Sequence, residues 1–289
     1  MRNQIQILSL GAGVQSSTLA LMAAKGEVGP MPTAAIFADT QDEPEGVYKW
    51  LTWLETQLPY PIIRVTKGRL SDRALQFRTS KRGRVYTKTD IPFHTLSANG
   101  EKGMVSNRAC TFDFKIYPII QKCRELGKIK RGQKTVGVIQ WIGISLDEVR
   151  RMKPSREPWI QNRWPLIDAR MTRADCLRWM EKHGYPKPPR SACVFCPFHS
   201  DAEWRNLKEN DPAAFERAVA FERAVAFERA VAETKAVADC APQECGEVLK
   251  SKLYLHKSCV PLDQVDFSTD VDRGQGLLWG NECEGMCGV

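Results

Sequence analysis

Along the first 65 residues the apolar positions switch between two periods. Ile5 to Leu8 reads as a strand and Ser17 to Lys25 as a helix. Ala34 to Ala38 (AAIFA) is a continuous apolar run with the length of a buried strand. From Gly46 to Leu58, Val47, Trp50, Leu51 and Leu54 recur at helical spacing, and Ile62 to Val65 predicts a third strand. Strand and helix in turn, with short connections, predict an α/β fold. Parallel strands need crossovers, and crossover helices cover the faces of the sheet.

Residues 66 to 108 break this rhythm. They are basic, contain Gly83, Gly100 and Gly103, and show little periodicity, which predicts a lid, a binding loop or a disordered insert. Patterning then resumes. Phe112 to Leu126 reads as a helix despite Pro118, and Thr135 to Ile144 (TVGVIQWIGI) as a buried strand. Thr172 caps a helix running to His183, and Gly184 ends it. Pro186, Pro188 and Pro189 stiffen the turn that follows.

Residues 215 to 232 read FERAVA three times. Six residues advance a helix by about 600°, so each Phe points roughly 240° from the last. The repeat predicts an exposed helix, started by Asp211 and Pro212, that arose by tandem duplication and carries no chemistry. The expected organisation is one α/β domain over residues 1–200, with 66–108 as a basic insert. A helical, acidic region follows over 201–289.

Charge sharpens this picture. The net charge is +8, but residues 1–190 hold 32 Lys and Arg against 17 Asp and Glu, whereas residues 191–289 hold 10 against 17. Arg64 to Lys88 alone carries nine basic residues against Asp72. Such a field favours a polyanion, either a nucleotide or a nucleic acid such as tRNA or DNA, and a solvated basic loop is the plain alternative. No run of 18 apolar residues suggests a membrane span, and MRNQIQILSL lacks the make-up of a secretory leader, so a cytoplasmic protein is expected. Ten cysteines in such a chain point to metal or redox work rather than to disulfides. The oligomeric state is left open.

The stretch LSLGAGVQSS (residues 8–17) lies where the first strand meets the first helix. The first N–H groups of a helix lack intrahelical acceptors and carry the positive end of its dipole, and glycines let an anion approach them closely. Ser16 and Ser17 add hydroxyls. The pattern is neither a P-loop, since no Gly-Lys-Ser/Thr follows, nor GxGxxG. On the second strand, FADTQDEPE places Asp39 and Thr40 at the carboxyl end, where such sheets bind ligands; an N-cap by Thr40 or Asp42 is the plain alternative. SACVFCPF contributes Cys193 and Cys196 at a spacing suited to one metal centre or to a redox pair. SNRACTFDFKIYP brings Arg108, Cys110 and Lys115 close together, and WIGISLDEVRRMKPSR sets four basic residues behind a strand.

GAGVQS resembles the pyrophosphate loop of the PP-loop superfamily, usually Ser-Gly-Gly-x-Asp-Ser. Gly11 stands at the first Ser, and Gln15 at the Asp that often helps to hold magnesium. The order of the segments, which continues through Trp164-Pro165-Leu166 to the Cys-x2-Cys, resembles the phosphoadenosine-phosphosulfate reductase family over roughly residues 5–200. The resemblance implies a PP-loop/HUP-like, Rossmann-like parallel sheet. It implies an adenine nucleotide, ATP or adenylyl sulfate, held by Ser9, Gly11, Gly13, Gln15, Ser16, Ser17, Asp39, Thr40, Arg108, Arg150 and Arg151, with Mg2+ in question. It also implies a [4Fe-4S] cluster on Cys110, Cys193 and Cys196, with zinc as the rival metal. Family members with the cluster carry a Cys pair where this chain has Ala109-Cys110, so Cys176, Cys283 or Cys287 would complete the shell or one iron would stay open. The terminal NECEGMCGV is similar to the Glu-Cys-Gly tail of the reductases. Cys283, Cys287 and Lys115 are therefore the candidate catalytic residues, with a thioredoxin-like reductant as a possible partner. Three functions follow as expectations: ATP-dependent adenylation with sulfur transfer to a nucleobase, adenylyl-sulfate reduction by tail thiols, and non-catalytic nucleic-acid binding by a metal-stapled protein.

Overall fold

Ile5–Leu10 (β1) is the central strand of a five-stranded parallel sheet in the computed structural model, which describes residues 4–79, 85–105, 108–239 and 251–268. The chain leaves β1 for helix α1 (Val14–Ala24) and returns as β2 (Ala34–Asp39) beside β1. It then forms α2 (Glu45–Gln57) and β3 (Ile62–Thr66) at one sheet edge. Four strands further along the chain, labelled β4 to β7, belong to a second unit. The sheet is completed by β8 (Val138–Ile142) and β9 (Ile160–Arg163), giving the order β3-β2-β1-β8-β9. Leu8 of β1 lies opposite Ala35 on one side and Trp141 on the other. This is a doubly wound, Rossmann-like order whose switch point falls between β1 and β8.

The alternation of strand side chains builds two cores. Leu8, Leu10, Ala35, Phe37, Ile139 and Trp141 pack with α1, α2 and α5 (Arg173–Lys182). Ile7, Ala34, Ile36, Val138 and Ile160 join Cys123 of α3 (Tyr117–Leu126) and Ile129. A strand buried on both faces has no polar register to display, which is why AAIFA reads as unbroken. Val47, Trp50, Leu51 and Leu54 of α2 are buried. At about 1.5–3 kcal/mol each, they outweigh a start at Pro44 that offers no side-chain cap. Thr172 and Asp175 close a reciprocal capping box on α5, and Gly184 (φ 69°) turns the chain beyond it. Pro118 lies in the first turn of α3, directly after a π-helical turn. A short helix, α4 (Pro165–Asp168), links β9 to α5.

The chain divides into two compact units. Residues 1–68 and 111–191 form the first, and residues 69–110 and 192–287 the second. Residues 66–108 depart from the expected aperiodic insert, because the second unit draws four strands from them. Leu75–Thr79 (β4) pairs with Val85–Thr89 (β5). Phe93–Ser97 (β6) lies between Lys102–Val105 (β7) and Ser251–Tyr254 (β10) in an antiparallel sheet. Most of these strands are short and carry Thr, Lys or Arg, so an apolar count misses them, although β-branched and aromatic residues recur in β4, β5 and β6.

Two helices complete this unit, α6 (Asp201–Asn210) and α7 (Pro212–Asp239). The exposed helix expected for the FERAVA repeat is also corrected. Phe215, Ala218, Val219, Glu222 and Val225 of α7 are buried, whereas Phe227 is 71% exposed. Phe221 stacks 4.1 Å from Phe195, and Phe215 meets Phe267 edge-on at 6.0 Å. The 240° step explains the split, since equivalent residues of successive copies face different surroundings. Among the described residues no helix is long and apolar enough to cross a membrane.

Candidate functional site

The residues between β1 and α1 form the floor of a site in the first unit. Gly13 is the N-cap of α1, no side chain caps it, and the first turn contains no acidic residue. The leading N–H groups of the helix thus face the carboxyl edge of the sheet without a resident anion from that turn. A methyl built on Gly13 would meet nothing within 4 Å, so space lies in front of the turn. Ala12 is buried and takes φ 57°, a left-handed conformation that costs an L-residue roughly 1–2 kcal/mol. Strain of this kind persists where the surroundings over-determine a loop. The Gly11 N–H donates to Ser16 Oγ at 3.1 Å, and Ser16 Oγ–H donates to the Gly13 carbonyl at 3.3 Å, closing the loop on itself.

The wall opposite comes from β8. A Cβ on Gly143 would lie 2.9 Å from both N and Cα of Ser16, so only glycine lets the end of β8 come this close to the first turn of α1. Beyond it, a 3-10 segment (Leu146–Arg151) bends at Glu148. Gln15 ties this segment down. Its Nε2 donates to Ser145 Oγ (3.4 Å) and Glu148 Oε2 (3.3 Å), and its Oε1 accepts from Arg173 Nη1 (3.1 Å). Arg151 is ion-paired with Glu148, and Arg150 is exposed. Position 15 therefore bridges three segments of chain.

The carboxyl end of β2 supplies a third element. Asp39 Oδ1 accepts from the Gln41 N–H (2.7 Å) and Tyr48 O–H (2.9 Å). Burial, and then the bond to Asp39, push the Tyr48 phenol well above its ordinary range. Thr40 is buried and donates to Glu43 at 3.4 Å. Glu43 is fully buried. Its Oε1 lies 3.3 Å from Lys115 Nζ, and its Oε2 accepts from Ser191 Oγ–H at 3.4 Å. Lys115 lies in a π-helical turn (Thr111–Ile116) that leads into α3.

Of the residues expected to bind the cofactor, Gly11, Gly13, Gln15 and Ser16 lie in the loop after β1 and the first turn of α1, Asp39 and Thr40 at the carboxyl end of β2, and Arg150 and Arg151 in the segment after β8. Ser17 faces away: it is buried, and its Oγ accepts the Trp50 indole N–H at 2.9 Å. Ser9 Oγ accepts from Gln140 Nε2 at 2.5 Å within the sheet. Sequence reading passed over Glu43, Ser145, Glu148, Arg173 and Tyr48. Their only signal was the density of charge in TQDE and LDEVRR; the partners of Gln15 lie more than 100 residues away in sequence.

Arg108, Cys110, Cys193 and Cys196 belong to the second unit. Arg108 lies over the Phe198 ring at 5.2 Å. The Cys110 N–H donates to the Asp90 carbonyl (2.7 Å). The Cys196 N–H donates to the Cys193 carbonyl (2.9 Å) in a tight turn, and a His199 ring nitrogen lies 3.0 Å from that same carbonyl. Among the described residues no group of three or more His, Cys, Asp and Glu side chains is placed to hold a metal ion. No chemistry below runs through an iron–sulfur or zinc centre. Cys176 is buried in the core of the first unit, and burial pushes its thiol up to about 12, as it does for Cys123. Cys283 and Cys287 lie outside the described residues.

No protein-family model matches the chain, and no curated protein matches it. Among solved structures, the chain is similar to phosphoadenylyl-sulfate (PAPS) reductase from Candida auris in its phosphate complex. The identity is 12% and the TM-score 0.38, over 65% of this chain and 76% of that one.

Proposed function

We propose that the chain is an enzyme that binds an adenine nucleotide at the carboxyl edge of its parallel sheet and reacts at the nucleotide's phosphorus. The observation that carries this reading is the uncapped, acid-free start of α1 at the β1/β8 switch point, with open space before it. That combination favours phosphate or sulfate through backbone N–H groups and the helix dipole. Arg150 and Arg151 add charge from the neighbouring turn, and Lys115, oriented by Glu43, adds it from the far side. The favoured reaction is adenylation. An acceptor oxygen attacks the α-phosphorus of ATP, pyrophosphate leaves, and a sulfur nucleophile then displaces AMP from the activated acceptor. Fixed positive charge near the α-phosphate would stabilise the negative charge that builds in the transition state.

One observation favours a second reading. Position 15 carries a neutral amide that accepts from Arg173, so no carboxylate for a metal ion extends from the loop there. This suits adenylyl sulfate as donor: a thiol attacks the sulfur and AMP leaves, and a second thiol then attacks the resulting S-sulfonate, releasing sulfite and forming a disulfide.

Calorimetric titration with ATP, AMP and adenylyl sulfate tests the common part. Gly13→Ala should keep the fold and lose binding, because its methyl enters the open space. α-Labelled ATP and sulfite assays then separate the two reactions. If none of the three nucleotides binds at millimolar concentration, the reading is wrong.

A further inference from the structure

Phe112 and Tyr117 are 45% and 39% exposed, respectively, with ring centroids 6.3 Å apart. They are five residues apart, a spacing that an α-helix separates around its circumference. The intervening Thr111–Ile116 segment is π-helical, and its wider turn brings the rings side by side on one surface. π-Helical segments are rare and occur frequently at functional sites. The Tyr117 ring is held at the sheet rather than displayed loosely. Lys67, the first residue after β3, lies 5.1 Å from the Tyr117 ring centroid and 3.6 Å from Asp113 of the π turn. Gln121 Nε2 donates to the Tyr117 hydroxyl oxygen at 2.9 Å.

The position of the pair matters as much as its exposure. Lys67 follows the carboxyl end of β3, on the same edge of the sheet as the loop after β1. Two strand spacings separate β3 from β1, about 10 Å. Residues 1–68 and 111–191, which make up this unit, hold 23 Lys and Arg against 14 Asp and Glu. Exposed aromatic rings with a cation beside them, in a positively charged unit, are the ingredients for holding an unpaired base. Stacking binds any base through its face, while the charge holds the backbone.

We propose that Phe112 and Tyr117 form a stacking platform for an unpaired base of a single-stranded nucleic acid, with Lys67 beside it for the backbone. This rests on the nucleotide reading above and names its acceptor class: the platform holds a nucleic-acid base beside the nucleotide loop. Duplex is a poor ligand, because its bases are already stacked on one another.

Fluorescence anisotropy with the full chain and labelled 12-residue single strands of DNA and RNA tests the platform, with a duplex of the same length as control. The wild type should bind single strands at least tenfold more tightly than duplex. Phe112→Ala and Tyr117→Ala should each raise Kd about tenfold, within the range expected for losing one stacked base. Tyr117→Phe should bind like the wild type, and Lys67→Gln should flatten the salt dependence. ATP affinity, measured on the same variants, should not change. Equal binding of duplex, or alanine variants that are folded and bind normally, would overturn the proposal. So would loss of ATP rather than of oligonucleotide, since the platform would then hold the cofactor's purine. A wild type that binds ATP and no oligonucleotide sinks the platform alone, whereas one that binds neither sinks both readings.

Discussion

Gly143→Ala is the sharpest test of the nucleotide loop, because the structure supplies both the clash and its consequence. The added methyl would lie 2.9 Å from N and Cα of Ser16 and 3.2 Å from its Cβ. Carbon contacts are most favourable near 3.5–4.0 Å, so the overlap is about 0.6 Å at the least. Two of the three atoms are backbone in the first turn of α1, and no rotamer relieves them. Either β8 or α1 must move. Overpacking of this kind costs about 1–3 kcal/mol, and at about 2–4 °C per kcal/mol for a unit of this size, Tm should fall by about 2–12 °C. A shift of half an ångström in the first turn also re-aims the N–H groups of the proposed anion site. The Kd for ATP should therefore rise tenfold or more, equivalent to about 1.4 kcal/mol. Differential scanning fluorimetry with and without ATP, followed by calorimetric titration, measures both effects. Gly13→Ala is the control, since its methyl meets no protein atom within 4 Å and should lower affinity with little change in Tm. Normal Tm and normal affinity in Gly143→Ala would refute the close approach and the role assigned to it.

Three further outcomes follow from the second unit. Burial holds His94 below its ordinary 6.5, so the folded chain binds fewer protons there than the unfolded chain. Its contribution is full above pH 6.5 and is lost as pH falls through the lower folded value. The urea midpoint should drop between pH 7 and 5, and His94→Gln should reduce that slope. Glu222 is buried and accepts the N–H groups of Leu255 (2.8 Å) and Leu262 (2.6 Å), so Glu222→Ala should cost about 2 kcal/mol or more in urea denaturation. Glu216, the same residue of the preceding hexad, is exposed, and Glu216→Ala should stay within about 0.5 kcal/mol of the wild type. Deleting one FERAVA copy yields the same sequence whichever copy is removed. It retains the Phe215 and Phe221 contacts, so Tm should change by less than about 2 °C; a large loss would show that the third copy is part of the core.

Local pattern determined a good deal of this molecule. The alternation over the first 65 residues, the cap at Thr172 and the stop at Gly184 each depend on neighbours within a few residues, and each is found where the sequence puts it, except that α1 starts at Val14 rather than Ser17. The parallel sheet follows from the same alternation, because short connections leave a strand few places to return. The Gly11–Ser16 loop was likewise legible, since the unpaired N–H groups of a helix start are a property of the backbone. Tertiary structure decided the rest. It turned Ser17 toward Trp50 and away from the loop, joined Gln15 to Ser145, Glu148 and Arg173, and set Lys115 against a buried Glu43. It folded residues 66–108 into strands of a second unit, and it buried one Glu of a repeated hexad while exposing another. The division has a physical cause. Helix caps and strand periods are set by bonds between near neighbours, whereas the direction and partner of a polar side chain depend on which distant segment the packed sheet brings within hydrogen-bonding distance.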